Sequence, residues 1–70
     1  MELTDVVALY DEVAEQLDLA GQHCRTASAH FRNEEVPRGA AHAWAAYGHL
    51  LEAQERMRTQ AREHAQRSVP

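Results

Sequence analysis

The sequence predicts an all-α protein folded as an antiparallel two-helix hairpin, and three observations support this. Alanine, glutamate, arginine and leucine make up about half of the chain, a composition typical of long helices. Apolar residues recur at alternating intervals of three and four in two long stretches. A single break containing Pro37 and Gly39 separates the two stretches.

The first helix is predicted over residues 4–33. Thr4 is the expected N-cap, and Asp5 favours the positive end of the helix dipole. The apolar seam of this helix is predicted to comprise Val6, Tyr10, Val13, Leu17, Ala20, Cys24, Ala27 and Phe31. On that seam, Cys24 is expected to be buried and to behave as a small hydrophobe.

The second helix is predicted over residues 37–66, because proline is tolerated in the first turn of a helix and not in its interior. Its predicted seam comprises Val36, Ala40, Ala43, Tyr47, Leu50, Gln54, Met57, Ala61 and His64. Residues 66–70 are expected to form a frayed tail. The whole chain, residues 1–70, is interpreted as a single helical-hairpin domain.

Folding the chain at the break brings the two seams into register from the loop to the open end. The mean spacing of 3.5 residues predicts a coiled coil, a left-handed supercoil with a shallow crossing angle. Large residues are expected to face small ones on both flanks: Trp44 and Leu51 against Ser28 and Gly21, and His30 and His23 against Gly39 and Ala46.

A hairpin with one alanine-rich seam has too thin a core to be comfortably stable alone. Cys24 is the only cysteine, so an internal disulfide is excluded. A leftover apolar stripe is the expected interface: Ala41, Trp44, Gly48 and Leu51 on the second helix, with Leu19 on the first. We therefore expect a homodimer that forms a four-helix bundle. The rival is a complex in which another helical protein supplies the missing helices.

Charge and composition exclude several classes of function. The net charge of −4 argues against a nucleic-acid binder. No apolar run is long enough to span a membrane, and no signal peptide is evident, so a cytoplasmic protein is expected. A lone cysteine agrees with that compartment. Because no phosphate loop, nucleophile motif or acid–base pair is visible, we expect neither an enzyme nor a cofactor.

Five histidines are many for 70 residues. His23 and His30 are seven residues apart, as are His42 and His49, so each pair spans about 10 Å of helix. That separation is too long for one ion, and no metal site is predicted from either pair alone. Two hypotheses follow. The favoured one is a non-catalytic module that dimerises or binds another protein; the alternative is a four-helix bundle that binds a metal or small ligand through interface histidines.

Overall fold

Two long helices account for nearly all of the chain. The computed structural model describes residues 2–70, in which α1 spans Leu3–Arg32, α2 spans Val36–Arg67, and no strand occurs. The two helices pack against each other as a hairpin, so the predicted fold is confirmed. Each helix boundary lies within one residue of its predicted position. The non-helical tail is shorter than predicted, because α2 continues through Arg67.

The start of α1 differs from the prediction. Glu2 is the N-cap, with an extended backbone (φ −67°, ψ 152°) and no capping hydrogen bond from its side chain. The Val6 amide donates to the Glu2 carbonyl at 3.0 Å, which closes the first turn one residue before Leu3. Thr4 therefore lies inside the helix, and its assignment as the N-cap was wrong. Asp5 does lie in the first turn.

The connection between the helices is a Schellman motif with glutamate in the position that glycine usually occupies. The Glu34 amide donates to the Phe31 carbonyl at 3.0 Å, and the Glu35 amide donates to the His30 carbonyl at 2.9 Å. Glu34 has φ 61°, the left-handed conformation that this motif requires. The chain reverses within three residues, which brings the start of α2 directly beside the end of α1.

The second helix begins with Pro37 in its first turn, as predicted. One turn later, Gly39 is buried beneath the ring of Phe31. A Cβ atom built on Gly39 would lie 2.6 Å from two carbons of that ring, which is shorter than any real contact. Gly39 is therefore the residue that lets the two helices approach each other next to the loop.

The predicted seam is wrong for nearly all of α2 and for half of α1. Val13 and Ala27 are buried as predicted, and Val6 and Ala20 are half-buried. Of the nine predicted seam residues of α2, Ala40 is half-buried and the other eight are exposed, namely Val36, Ala43, Tyr47, Leu50, Gln54, Met57, Ala61 and His64. Tyr10, Leu17, Cys24 and Phe31 of α1 are exposed as well. The buried or half-buried residues lie one position earlier in each case. They are Glu35, His42, Ala46, His49, Ala53, Arg56, Gln60 and Glu63 for α2, and Leu9, Gln16, His23 and His30 for α1.

Small side chains explain this rotation. A shift of the whole seam by one residue, as in α2, turns a helix by about 100°, and α1, which keeps Val13 and Ala27 in the contact, turns by about half of that. Both rotations move the larger residues sideways out of the contact. The buried hydrophobic residues are then Val13, Ala27, Ala46 and Ala53. Alanines let two helices lie closer than leucines and tyrosines do, so more backbone and Cβ surface is buried per turn. The flank that was predicted to hold His23, His30, Gly39 and Ala46 is therefore the interface itself.

The resulting molecule is a slab one helix thick, with principal extents of 51 × 27 × 13 Å. Each of its broad surfaces is formed by both helices. Neither helix among the described residues combines the length and the apolar character needed to cross a membrane.

Candidate functional sites

Four histidines form a row along the contact between the helices, which we call the imidazole row: His49, His23, His42 and His30. The members come alternately from α2 and α1. Neighbouring ring centroids are 5.4 Å apart for His49 and His23, 5.2 Å for His23 and His42, and 5.4 Å for His42 and His30. The outer two contacts are stacked, with interplanar angles of 14° and 18°.

The row follows from heptad spacing on two antiparallel helices. Histidines seven residues apart lie on one side of a helix and about 10 Å apart, which leaves room for a ring from the facing helix between them. His42 fills that gap between His23 and His30, and His23 fills it between His42 and His49. Sequence reasoning considered each pair alone and therefore missed this interleaving.

Each ring in the row has a polar partner for its Nδ1 atom. At the centre, the Nδ1 atoms of His23 and His42 are 2.9 Å apart. One end is closed by Gln16, whose Oε1 lies 2.8 Å from His49 Nδ1. The other end is closed by Glu35, whose Oε1 lies 3.4 Å from His30 Nδ1. The sequence did not predict that Gln16 and Glu35 contact the row. These contacts depend on which histidine the folded hairpin places beside each residue.

The row is the region where the alternative hypothesis placed a metal: His23, His30, His42 and His49 were its candidate residues. The structure brings all four together, yet only the central pair places the Nδ1 atoms of two rings within hydrogen-bond distance of each other. Among residues 2–70, no group of three or more histidine, cysteine, aspartate or glutamate side chains has the arrangement of a metal site.

One broad surface of the slab carries half of the exposed large apolar side chains; we call it the apolar face. Its members on α1 are Tyr10, Leu17, Cys24 and Phe31, and its members on α2 are Ala43, Tyr47, Leu50 and Met57. All eight are exposed, and the exposed fraction is 46% for Leu17 and 50% for Tyr47. Cys24, which was predicted to be a buried hydrophobe, is thus an accessible thiol.

The apolar face is not flat. A shallow groove of about 260 Å³ runs along its centre between the helices, lined by Ala20, Cys24, Ala43, Ala46, Tyr47 and Leu50. Toward the open end of the hairpin, the Tyr10 hydroxyl donates to Gln60 Oε1 at 2.6 Å. That bond fixes the tyrosine ring beside Met57 and Ala61.

The predicted interface residues lie mostly on the outer side of α2. Trp44 is 72% exposed, Ala41, Gly48 and Leu51 are exposed, and Leu19 is half-buried. A Cβ atom on Gly48 would meet nothing within 4 Å. Trp44 packs edge-on against Tyr47 with ring centroids 6.2 Å apart, so this stripe borders the apolar face. Whether it contacts a partner remains a prediction.

Charged residues link the helices toward the open end, where Glu12 of α1 pairs with Arg56 of α2.

Comparison with protein-family models, with curated proteins and with solved structures found no match to this chain.

Proposed function

We propose that this chain is a non-catalytic interaction module whose partner is a second copy of itself, bound through the apolar face. The proposal rests mainly on the amount of surface that the hairpin leaves exposed. A globular monomer of 7.9 kDa is expected to expose about 4,400 Å². This chain exposes 5462 Å².

The difference of about 1,000 Å² is close to the area that each partner buries in a standard protein interface, about 800 Å². Large apolar side chains are concentrated on the apolar face, where Tyr10, Leu17, Phe31, Tyr47 and Met57 are each at least 40% exposed. A slab one helix thick has a single layer, whereas stable domains have at least two. A second slab laid on the apolar face supplies the second layer and produces a four-helix bundle.

The charges of the two helices favour a copy of the same chain as that second layer. Within their bounds, α1 carries five acidic residues and two arginines, whereas α2 carries three acidic residues and five arginines. In a two-fold dimer, α1 of one copy can lie against α2 of the other, so unlike charges meet along both rims of the interface. Exposed pairs of unlike charges add little to the stability of the dimer, but they favour the orientation in which α1 of one copy lies against α2 of the other.

The accessible thiol of Cys24 fits a reducing compartment, and we propose the cytoplasm. On the apolar face, that thiol also reports directly on the dimer. Its rate of reaction with a small disulfide reagent is expected to fall as the chain concentration rises, because a second copy covers it. A rate independent of concentration, measured across the range in which the mass changes, would place the interface elsewhere.

The direct test is Leu17→Asp, assayed by sedimentation velocity together with far-ultraviolet circular dichroism. Leu17 is exposed in the hairpin, so aspartate should leave the helical content intact. A charge buried in an apolar interface should weaken dimerisation by at least about 100-fold. The matched control is Gln22→Asp, which adds a charge at another exposed position of α1 and should remain dimeric.

Trp44→Ala distinguishes the apolar face from the originally predicted stripe. If Trp44→Ala dissociates the dimer and Leu17→Asp does not, the contact is formed by the stripe and our assignment of the face is wrong. A wild-type chain that is monomeric at every concentration contradicts homodimerisation altogether. The rival partner, another helical protein, would then be the occupant of the apolar face.

A further inference from the structure

At the centre of the imidazole row, two ring nitrogen atoms from different helices lie next to each other. His23 Nδ1 on α1 and His42 Nδ1 on α2 are 2.9 Å apart in a part-buried position. When both rings are neutral, one donates its proton and the other accepts it. The pair therefore shares one proton between its two Nδ1 atoms, and a cation that bound both atoms would replace that proton.

The distance between those atoms matches one coordination geometry better than another. Two nitrogen ligands at about 2.0 Å from a metal are about 2.8–2.9 Å apart at a right angle and about 3.3 Å apart at the tetrahedral angle. Right angles are typical of tetragonal Cu²⁺ and Ni²⁺ sites. We propose that His23 and His42 form a two-histidine chelate for a divalent transition-metal ion, with Cu²⁺ bound most tightly.

The outer members of the row position the pair and do not ligate. His49 and His30 stack on the two central rings, and their own Nδ1 atoms are engaged by Gln16 and Glu35. Two protein ligands then leave the remaining coordination positions to water. This agrees with the finding that no three metal-binding side chains converge among the described residues. The site is accordingly open and exchanges its metal.

The two ligands belong to different helices, so a bound ion joins α1 to α2. A ligand that binds only the folded state stabilises it by mass action. At a hundredfold excess over the dissociation constant, the melting temperature of a chain this small should rise by about 10 °C or more. The ligands must be deprotonated, so metal binding should weaken as the pH falls.

The test uses the full chain without an affinity tag, at a concentration where it is monomeric, so that its outcome is independent of dimerisation. Cu²⁺ is added while calorimetry records binding and electron paramagnetic resonance records the nitrogen couplings. One ion per chain, two imidazole nitrogens and the rise in melting temperature are expected. His23→Gln and His42→Gln should each weaken binding at least about tenfold.

His64→Gln is the matched control, because His64 is exposed near the end of α2 and lies outside the row. It should bind Cu²⁺ as the wild type does, and Mg²⁺ should not change the melting temperature of any variant. Binding that survives both His23→Gln and His42→Gln, or that is lost in His64→Gln alone, overturns the proposal.

If His23→Gln or His42→Gln loses its helical circular dichroism signal, the metal site is tested in the wild-type chain instead. Zn²⁺ is added to chain labelled with ¹⁵N at histidine, and the Nδ1 resonances of the five rings are followed. The signals of His23 and His42 should shift first. If the His64 signal shifts while those two stay unchanged, the central pair is not a metal site.

Discussion

The contact between Gly39 and Phe31 yields a prediction in which two similar substitutions have opposite effects. Alanine replaces glycine in a helix with a gain of about 0.5–1 kcal/mol in the free energy of unfolding. Gly48 is surrounded by open space, so Gly48→Ala should realise that gain. At Gly39, a Cβ atom would lie 2.6 Å from the Phe31 ring and 2.9 Å from its Cγ, where the side chain is anchored.

Overpacking of this kind costs about 1–3 kcal/mol, which exceeds the gain in helix propensity. Gly39→Ala should therefore lower the free energy of unfolding by about 1 kcal/mol. For a domain of this size, 1 kcal/mol corresponds to a shift of about 4–8 °C in melting temperature. Thermal melts at one fixed chain concentration should place Gly39→Ala below the wild type and Gly48→Ala above it.

A double-mutant cycle assigns the loss to the ring. In a Phe31→Ala background, the clash is absent and Gly39→Ala should become neutral or stabilising. The reasoning is refuted if Gly39→Ala stabilises the wild-type chain as much as Gly48→Ala does. A melting temperature for Gly48→Ala below that of the wild type, accompanied by a loss of dimer mass, would show that a partner covers Gly48, as the sequence predicted.

Two further predictions concern the core and the loop. Ala53 is the most buried hydrophobic residue of α2, so Ala53→Leu should lower the free energy of unfolding, measured by urea titration, by about 1–3 kcal/mol. Ala61→Leu, at an exposed position, should leave it nearly unchanged, and equal effects of the two substitutions would contradict the observed seam. Glu34→Gly should raise the melting temperature by about 4–8 °C, because glycine adopts the left-handed conformation of this position without strain. Asn33→Gly, at φ −90°, should lower the melting temperature. A decrease for Glu34→Gly would contradict the Schellman geometry.

The secondary structure of this chain is predictable because local signals determine it. Proline at the start of one helix, a composition rich in helix formers and an unbroken periodicity place both helices within one residue of their bounds. Thr4 was misjudged as the N-cap because the backbone hydrogen bond from Val6 to Glu2 begins the helix two residues earlier than the side-chain signal suggested. Helix ends depend on backbone hydrogen bonds that side-chain preference alone does not decide.

The orientation of each helix about its axis was not predictable in the same way. Two adjacent stripes on α1 share Val13 and Ala27 and differ in using Leu17 or Gln16, and Phe31 or His30. Both stripes have the same spacing, so periodicity does not choose between them. The prediction chose the more apolar stripe, which is sound only when the hairpin has a single apolar contact to make.

That failed assumption itself supports the proposal of a second copy. A helix in a four-helix bundle needs two apolar contacts, one with its neighbour in the hairpin and one with the opposite layer, so its apolar arc is wider than a single seam. In this chain, the alanines and histidines make the first contact, and Leu17, Leu50 and their neighbours stay exposed. In the proposed dimer these exposed residues make the second contact. In an isolated hairpin, the more apolar stripe of each helix is expected to face the other helix, because burial of apolar surface stabilises the fold. The exposure of these large apolar side chains is therefore better explained by a partner on the apolar face than by any advantage to the isolated hairpin.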